Sequence, residues 1–581
     1  MSTESSIDLN FRVGGAAGQG VQSVGGVLSK TFARGGYHIF THQDYESRIR
    51  GGHSFFHLRL SDMPVYAAPN RVNVLVALDD RTIEIHEDVM VPNSVIICDR
   101  KLREVSPEVE RVHDIFDVPL MDIALETGNK LYVNTVAMGA SLGLIEFDFD
   151  ILAGLIAEQF KKKGQTIIDE NVKAARLGYE FTQQNYKGTC CYIIKPRTAP
   201  KTMILTSNEA IGIGALFAGC KFVSAYPMTP STSIWVTMKA LAHDDFVFVQ
   251  TEDELASINM ALGAAYGGVR AMTTTSGGGF ALMNEGFSLA GATETPIVVA
   301  LVSRPGPATG LPTRTEQSDL EYVLHAGHGE FPRVIFAPSC QEEAFRLTVK
   351  AFNMAEKYHV AVVILQDQHL ADSYRTVDPA DFNIDAIKIE RGPMATEEEL
   401  KTSKDFKSHR VTESGVSPRA FPGTKDGIIA TAGDEHDEYG HIIEDAETRN
   451  EQMEKRMRKL DALMKDIEEP LTYGQEAADV SLIGWGSTYG AIKEATDLLN
   501  EEGISTNMMH VVEVFPVHKV VGEFVTKAKQ SFVVENNYTG QYANIIRAYT
   551  GKLPTGGINK YDGRPFSPGY IVKEVKRRMG A

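Results

Sequence analysis

The sequence predicts an α/β protein built from three α/β domains. A pattern of apolar strand, turn and helix recurs three times along the 581 residues. Its strands are nearly continuous apolar runs, such as VNVLVALD, TPIVVALVS and VAVVILQD. Such strands are covered on both faces, as in parallel sheets with crossover helices. The apolar content of 43% and charged content of 23% are those of an ordinary globular chain, several domains long.

The first domain spans 1–195. FRVGGAAGQGVQSVGGVLSKTFARGGYHIF reads as strand, glycine-rich turn, helix and strand, followed by the strands SFFHLRL, VNVLVALD and SVIICD. A parallel sheet is expected here. NTVAMGASLGLIE reads as a helix. The second domain, 196–375, alternates helices (SNEAIGIGALFAGC, STSIWVTMKALAHD, EDELASINMALGAAYGG) with the strands KFVSAYP, FVFVQ, RAMTTTS and TPIVVALVS. Residues 376–470 form a connector rich in loop signals, and its helix EDAETRNEQMEKRMRKLDALMKDIEE has few apolar positions. A solvated helix is expected there. The last domain, 471–581, opens with the strand ADVSLIGWGS and the helix TYGAIKEATDLLNEEG.

The net charge of −18 argues against nucleic acid or an anionic membrane as partner. No run approaches the roughly 20 apolar residues of a membrane span. The start MSTESSIDLN lacks the charged and apolar regions of a signal peptide, so a cytoplasmic location is expected. The five cysteines, Cys98, Cys190, Cys191, Cys220 and Cys340, form no C-x-x-C pair and are expected to be reduced and mostly buried.

Gly14, Gly15, Gly18 and Gly20 permit a phosphate to approach a helix N-terminus, and equally permit a tight packed turn. The third glycine of a dinucleotide fingerprint is absent. His53 and His57 lie in a strand-like run, where residues four apart are about 13 Å from each other, so no metal site is expected. In AYPMTPS, Pro227 and Pro230 constrain their own φ and the residues before them, Tyr226 and Thr229. Ser231 is the expected cap of the next helix. Thr229 thus sits at the carboxyl end of a strand, where open α/β sheets bind ligands. In QTEDELAS, Thr251 and Glu254 have capping-box spacing. A carboxylate facing a cofactor nitrogen is the other reading of Glu254. The glycines of TTTSGGG suit close backbone approach. VSRPGPATGLPTRTEQ carries Arg304, Thr309 and Arg314 on a proline-stiffened loop, and a guanidinium there suits a carboxylate.

Taken in order, the segments Tyr226–Ser231, the Glu254 helix, Thr273–Gly277 and Arg304–Gln317 resemble the α subunit of 2-oxoacid:ferredoxin oxidoreductases. The first domain resembles the family's γ domain, fused at the N-terminus. The resemblance implies a thiamine-pyrimidine-binding, transketolase-like doubly wound domain at 196–375. It also implies a transketolase C-terminal-like domain at 471–581. Thiamine diphosphate would lie between this chain and a β subunit, with Glu254 on the aminopyrimidine ring nitrogen and Tyr226, Pro227 and Thr229 beside the cofactor. Arg304 would pair with the substrate carboxylate, next to Thr309. Arg48, Arg50, Lys130 and Arg314 are basic candidates for a second carboxylate.

The implied reaction is oxidative decarboxylation of a 2-oxoacid with coenzyme A to acyl-CoA and carbon dioxide, with electrons passing to ferredoxin, or its reverse. The glycine-aspartate-glycine stretch that binds diphosphate and Mg²⁺ is absent, as is a cysteine set for a cluster. The β subunit is therefore expected to carry Mg²⁺ and a [4Fe–4S] centre, in an (αβ)2 heterotetramer inactive without it. The γ–α fusion and the GLPTRTEQSDL loop look most like the 2-oxoglutarate group. Pyruvate or a branched-chain 2-oxoacid is the alternative substrate, and a non-catalytic scaffold subunit the alternative role.

Overall fold

A computed structural model describes residues 7–46, 52–101, 105–188, 192–402, 406–425 and 427–580. The chain forms two compact units, 1–205 with 373–379, and 206–372 with 380–581.

The first unit holds an eight-stranded sheet in the order 114–117, 90–98, 72–77, 8–16, 53–61, 38–44, 375–377, 203–205. Only half of it is parallel. Strand Asp8–Ala16 runs parallel to Val72–Ala77 but antiparallel to His53–Ser61. The strand His38–Asp44 is also antiparallel to His53–Ser61. The expectation of a parallel sheet is corrected here for a simple reason: residues 45–52 are too few for a crossover, which needs a dozen or more, so these two strands fold back on each other. Helices Val133–Leu144 and Gln165–Asn185 pack so closely that a side chain at Gly139 would strike the Ala175 carbonyl. Cys98, Cys220 and Cys340 are buried and form no disulfide among the described residues. Cys190 and Cys191 lie outside the described residues.

The second unit holds two sheets. The larger runs 513–515, 333–336, 361–367, 297–303, 271–275, 222–225, 247–250 and is parallel except for the edge strand Glu513–Phe515. The smaller runs 471–474, 506–511, 480–485, 530–535, 556–559. One apolar core threads both, from Phe280, Phe287 and Leu301 to Ile483, Trp485 and Tyr542. The charged helix Ala446–Leu463 is not solvated along its length. Gln452, Lys455, Arg456, Lys459 and Leu463 are buried. Polar periodicity misleads here because the buried face of the helix is lined by ion pairs instead of apolar contacts.

Candidate active site

In the large sheet the chain passes from Phe222–Ala225 outward to Val247–Gln250, then returns to Ala271–Thr275 on the other side of the first strand and continues to Ile297–Ser303. The direction of strand addition reverses between Phe222–Ala225 and Ala271–Thr275. Crevices at such switch points, beyond the carboxyl ends of the strands, bind ligands in open α/β sheets. All four strands deliver polar residues to this edge.

The turn after Phe222–Ala225 carries Thr229, which is exposed, and the Thr229–Pro230 peptide is cis. Asn208 Nδ2 donates to Pro230 O at 2.8 Å and to Ser233 Oγ at 2.7 Å. Ser231 stands at the expected N-cap position of helix Thr232–Leu241, but its side chain makes no capping hydrogen bond. Its hydroxyl donates to Met228 O at 2.9 Å, tightening the turn instead.

The capping box at Thr251 and Glu254 is also absent. Asp253 caps helix Glu254–Tyr266 by accepting from Ala256 N at 2.9 Å. Thr251 Oγ1 donates to Asp253 O at 2.8 Å. Glu254 is left free of the capping role and is only 2% exposed. Its Oε1 has no hydrogen-bond partner among the described residues. Burial pushes this carboxyl above its ordinary range; its own backbone N–H pulls the other way, and Asp253 adds to the rise. A methyl group on Gly279 would collide with Glu254 Oε1 and Thr275 Oγ1, so this glycine keeps the space around the carboxyl open. The hydroxyls of Thr273, Thr274 and Ser276 are likewise buried without partners among the described residues. So dense a set of unpaired polar groups is costly unless they meet a ligand.

After Ile297–Ser303, Arg304 Nη1 donates to Thr229 O at 2.6 Å, while its Nε is buried without a partner among the described residues. Burial lowers the guanidinium pKa, and Asp319 opposes this. Ser303 Oγ donates to Asp319 Oδ2 at 2.7 Å. Glu316, nearby in the same loop, is pushed up to about 7 by burial and by the charge of Asp319.

A pyruvate flavodoxin/ferredoxin oxidoreductase model described as thiamine-diphosphate-binding matches residues 213–455. A pyruvate ferredoxin/flavodoxin oxidoreductase model matches 10–181. The 2-oxoacid:ferredoxin oxidoreductase α subunit of a Sulfolobus species is 33% identical, covering 96% of this chain and 95% of its own length. The chain belongs to the 2-oxoacid:ferredoxin oxidoreductase family. It is an α subunit of that enzyme family with a γ-like region fused ahead of it. The 2-oxoglutarate oxidoreductase subunit KorA of Mycobacterium tuberculosis is 28% identical over 98% of this chain and 91% of its own. A 2-oxoglutarate:ferredoxin oxidoreductase structure from Magnetococcus marinus, with 2-oxoglutarate, coenzyme A and succinyl-CoA bound, is 31% identical. It superposes with a TM-score of 0.92 over 98% of this chain and 99% of that one.

Within this oxidoreductase subunit, Tyr226, Pro227, Thr229, Glu254 and Arg304 all come from loops or helix starts at the crevice edge. Thr309 is exposed on the same loop as Arg304, and Arg314 packs near Gly563. Lys130 is exposed in the first compact unit. Arg48 and Arg50 lie outside the described residues. Asp319 and Glu316 went unnoticed in the sequence, because no local pattern ties an aspartate to a serine sixteen positions earlier.

A second cluster sits apart from the crevice. Carboxylate and imidazole atoms of Glu294, His409 and His436 lie within 4.8 Å of one another. Lys455 Nζ donates to Glu294 Oε1 at 2.6 Å, and Lys459 pairs with the other oxygen. Two ammonium groups already occupy the carboxylate and repel a further cation, so this is an ion-pair lock, with no room for metal chemistry.

Proposed function

We propose that this protein is the γ–α fused subunit that catalyses, with a β subunit, oxidative decarboxylation of 2-oxoglutarate with coenzyme A, delivering electrons to ferredoxin. The observation that carries the reading is the buried Glu254 carboxyl at the sheet's switch point, whose Oε1 has no hydrogen-bond partner among the described residues. A carboxyl held above its ordinary pKa beside open space fits a thiamine aminopyrimidine, whose ring nitrogen supplies the missing partner. Thiamine diphosphate, when bound, supplies the carbon nucleophile and electron sink for the decarboxylation.

The chain's own residues have four tasks. Glu254 holds a proton at the ring nitrogen. Tyr226 and Pro227 flank the cofactor, and the Thr229 hydroxyl orients the reacting edge. The Arg304 guanidinium binds the 2-oxoacid carboxylate, helped by Thr309. A preorganised cation at that point also favours charge developing there. The carboxylate end specific to 2-oxoglutarate is assigned to Arg314.

The exposed apolar side chains Tyr226, Leu255, Met260, Leu282 and Leu311 support docking of a β subunit over this edge. That subunit would bring the diphosphate and Mg²⁺ site and a [4Fe–4S] centre, in an (αβ)2 assembly. We assign 1–195 to the γ-type domain, 196–375 to pyrimidine binding, 376–470 to the connector and 471–581 to the C-terminal domain. No helix among the described residues is long and apolar enough to cross a membrane, which accords with work on a soluble ferredoxin in the cytoplasm.

The test is co-expression with the β subunit and assay of low-potential acceptor reduction against a panel of 2-oxoacids with coenzyme A. Activity is expected only for the complex, and highest with 2-oxoglutarate. Decarboxylation by the isolated chain would refute the reading. Preference for pyruvate or a branched-chain acid would move the substrate assignment alone.

A further inference from the structure

We propose that Gln317 is a positioning residue for the substrate loop: it seats residues 304–317 on the carboxyl edge of the five-stranded sheet and thereby fixes where Arg304 sits. The substrate side of this inference rests on the function proposed above.

Gln317 is 1% exposed, and every polar group it owns is spent on the smaller sheet. Its N–H donates to Asn536 O at 2.7 Å. Its Oε1 accepts from Asn536 N at 2.9 Å, its Nε2 donates to Trp485 O at 3.0 Å, and its carbonyl accepts from Asn537 Nδ2 at 3.1 Å. Trp485 and Glu535 end two adjacent parallel strands, Val480–Trp485 and Gln530–Glu535. The edge beyond such strand ends is ordinarily a ligand crevice. In this chain its own loop enters it, and Gln317 takes the place of a ligand. A side chain on Gly486, whose φ is 59°, would press on the Gln317 amide.

Neighbouring residues extend the seat. Thr315 N donates to Gly563 O at 3.3 Å, and Gln541 Nε2 donates to Ser318 O at 2.7 Å. Two residues past Gln317, Asp319 accepts the Ser303 hydroxyl, directly before Arg304. Arg304 in turn donates to Thr229 O. The middle of the loop, Gly306–Leu311, is exposed. The loop is thus held at its ends and open between them, so the anchor at 317 governs the geometry of the guanidinium.

The test uses the full chain co-expressed with its β subunit. Gln317→Met keeps the volume and removes both side-chain hydrogen bonds; Gln317→Ala is the second variant. Pro305 blocks trypsin at Arg304, so cleavage after Arg314, followed by mass spectrometry, reports loop release. Cleavage there is expected to quicken about tenfold, the scale of one or two lost hydrogen bonds. KM for the 2-oxoacid should rise about tenfold, while kcat stays within about threefold and thiamine diphosphate affinity within about twofold. A lowered melting temperature with cleavage and KM unchanged would overturn the proposal. So would a parallel weakening of oxoacid and thiamine binding. If the wild-type complex neither binds thiamine diphosphate nor turns over, the functional reading fails, and the cleavage rate alone decides whether Gln317 holds the loop.

Discussion

Glu254 and Glu294 are buried carboxylates in the same compact unit, and they are treated in opposite ways. Glu294 meets Lys455, Lys459 and His409. Burial pushes its carboxyl up, but these neighbours together pull it well below the ordinary range. Among the described residues Glu254 meets no cation, and burial leaves it raised. The first arrangement ties the connector helix to the body of the unit. The second costs stability, and such a cost is kept where a group awaits something that the fold does not supply. The surroundings of a buried acid, more than its depth, separate structural from chemical work.

The largest expected effect falls on the paired side. Glu294→Ala leaves two buried ammonium groups unpaired and should cost about 3–5 kcal/mol in denaturant unfolding of the full chain. Turnover per folded molecule should not change. The Glu294 pKa is depressed by folding, so its contribution is present above the unfolded value and lost as pH falls through the folded one. The variant should therefore lack part of the wild type's loss of stability in acid. A Glu294→Ala enzyme that stays stable but stops working would break the contrast.

Glu254→Gln is the mirror experiment. Turnover of the reconstituted complex should fall at least about a hundredfold, while the melting temperature of the full chain rises at neutral pH. The Glu254 pKa is raised by folding, so its stabilising contribution exists below the unfolded value and is lost as pH climbs through the folded one. The advantage of the amide should accordingly shrink toward about pH 4. If the Glu254→Gln chain melts lower than the wild type at neutral pH, the carboxylate is paired after all.

Thr229→Ala sharpens the chemical side further. The hydroxyl is exposed, and Arg304 holds the main-chain carbonyl, so the turn survives the change. Turnover should drop about tenfold with the melting temperature nearly constant. Equal losses of fold and activity would assign Thr229 to structure.

The smallest effect is expected at Glu316, held up at about 7 by burial and by Asp319. Its folded pKa is raised, so Glu316→Gln should melt at the same temperature as wild type in acid. It should gain modestly as the pH passes through about 7. A melting difference that stays flat from acid to mildly alkaline pH would show that Glu316 has found a partner.

Much of this was legible in the residues themselves. The strand-to-helix turns at 226–231 and 276–279 were visible because proline and glycine restrict or free the backbone locally. The apolar runs located most strands of both large sheets, but not the short ones at Asp114–Asp117, Met203–Leu205, Arg333–Phe336 and Arg375–Val377. The local signals that misled were those in which a polar side chain had more than one possible partner. Ser231 and Thr251 have the right spacing to cap helices, yet their hydroxyls bond to Met228 O and Asp253 O instead. The connector helix looked solvated because its counter-charges lie elsewhere in the sequence.

The amino-acid sequence by itself determined the order of elements, the stiff turn around Thr229, the glycines that leave space at 277–279 and the family to which the chain belongs. Tertiary structure alone decided which glutamate is satisfied and which is left wanting. Lys455 is 161 positions from Glu294, and Asn536 is 219 from Gln317. Periodicity and capping reach only a few residues along the chain, whereas the free energy of a buried charge or amide depends on whatever folding brings within about 3 Å of it.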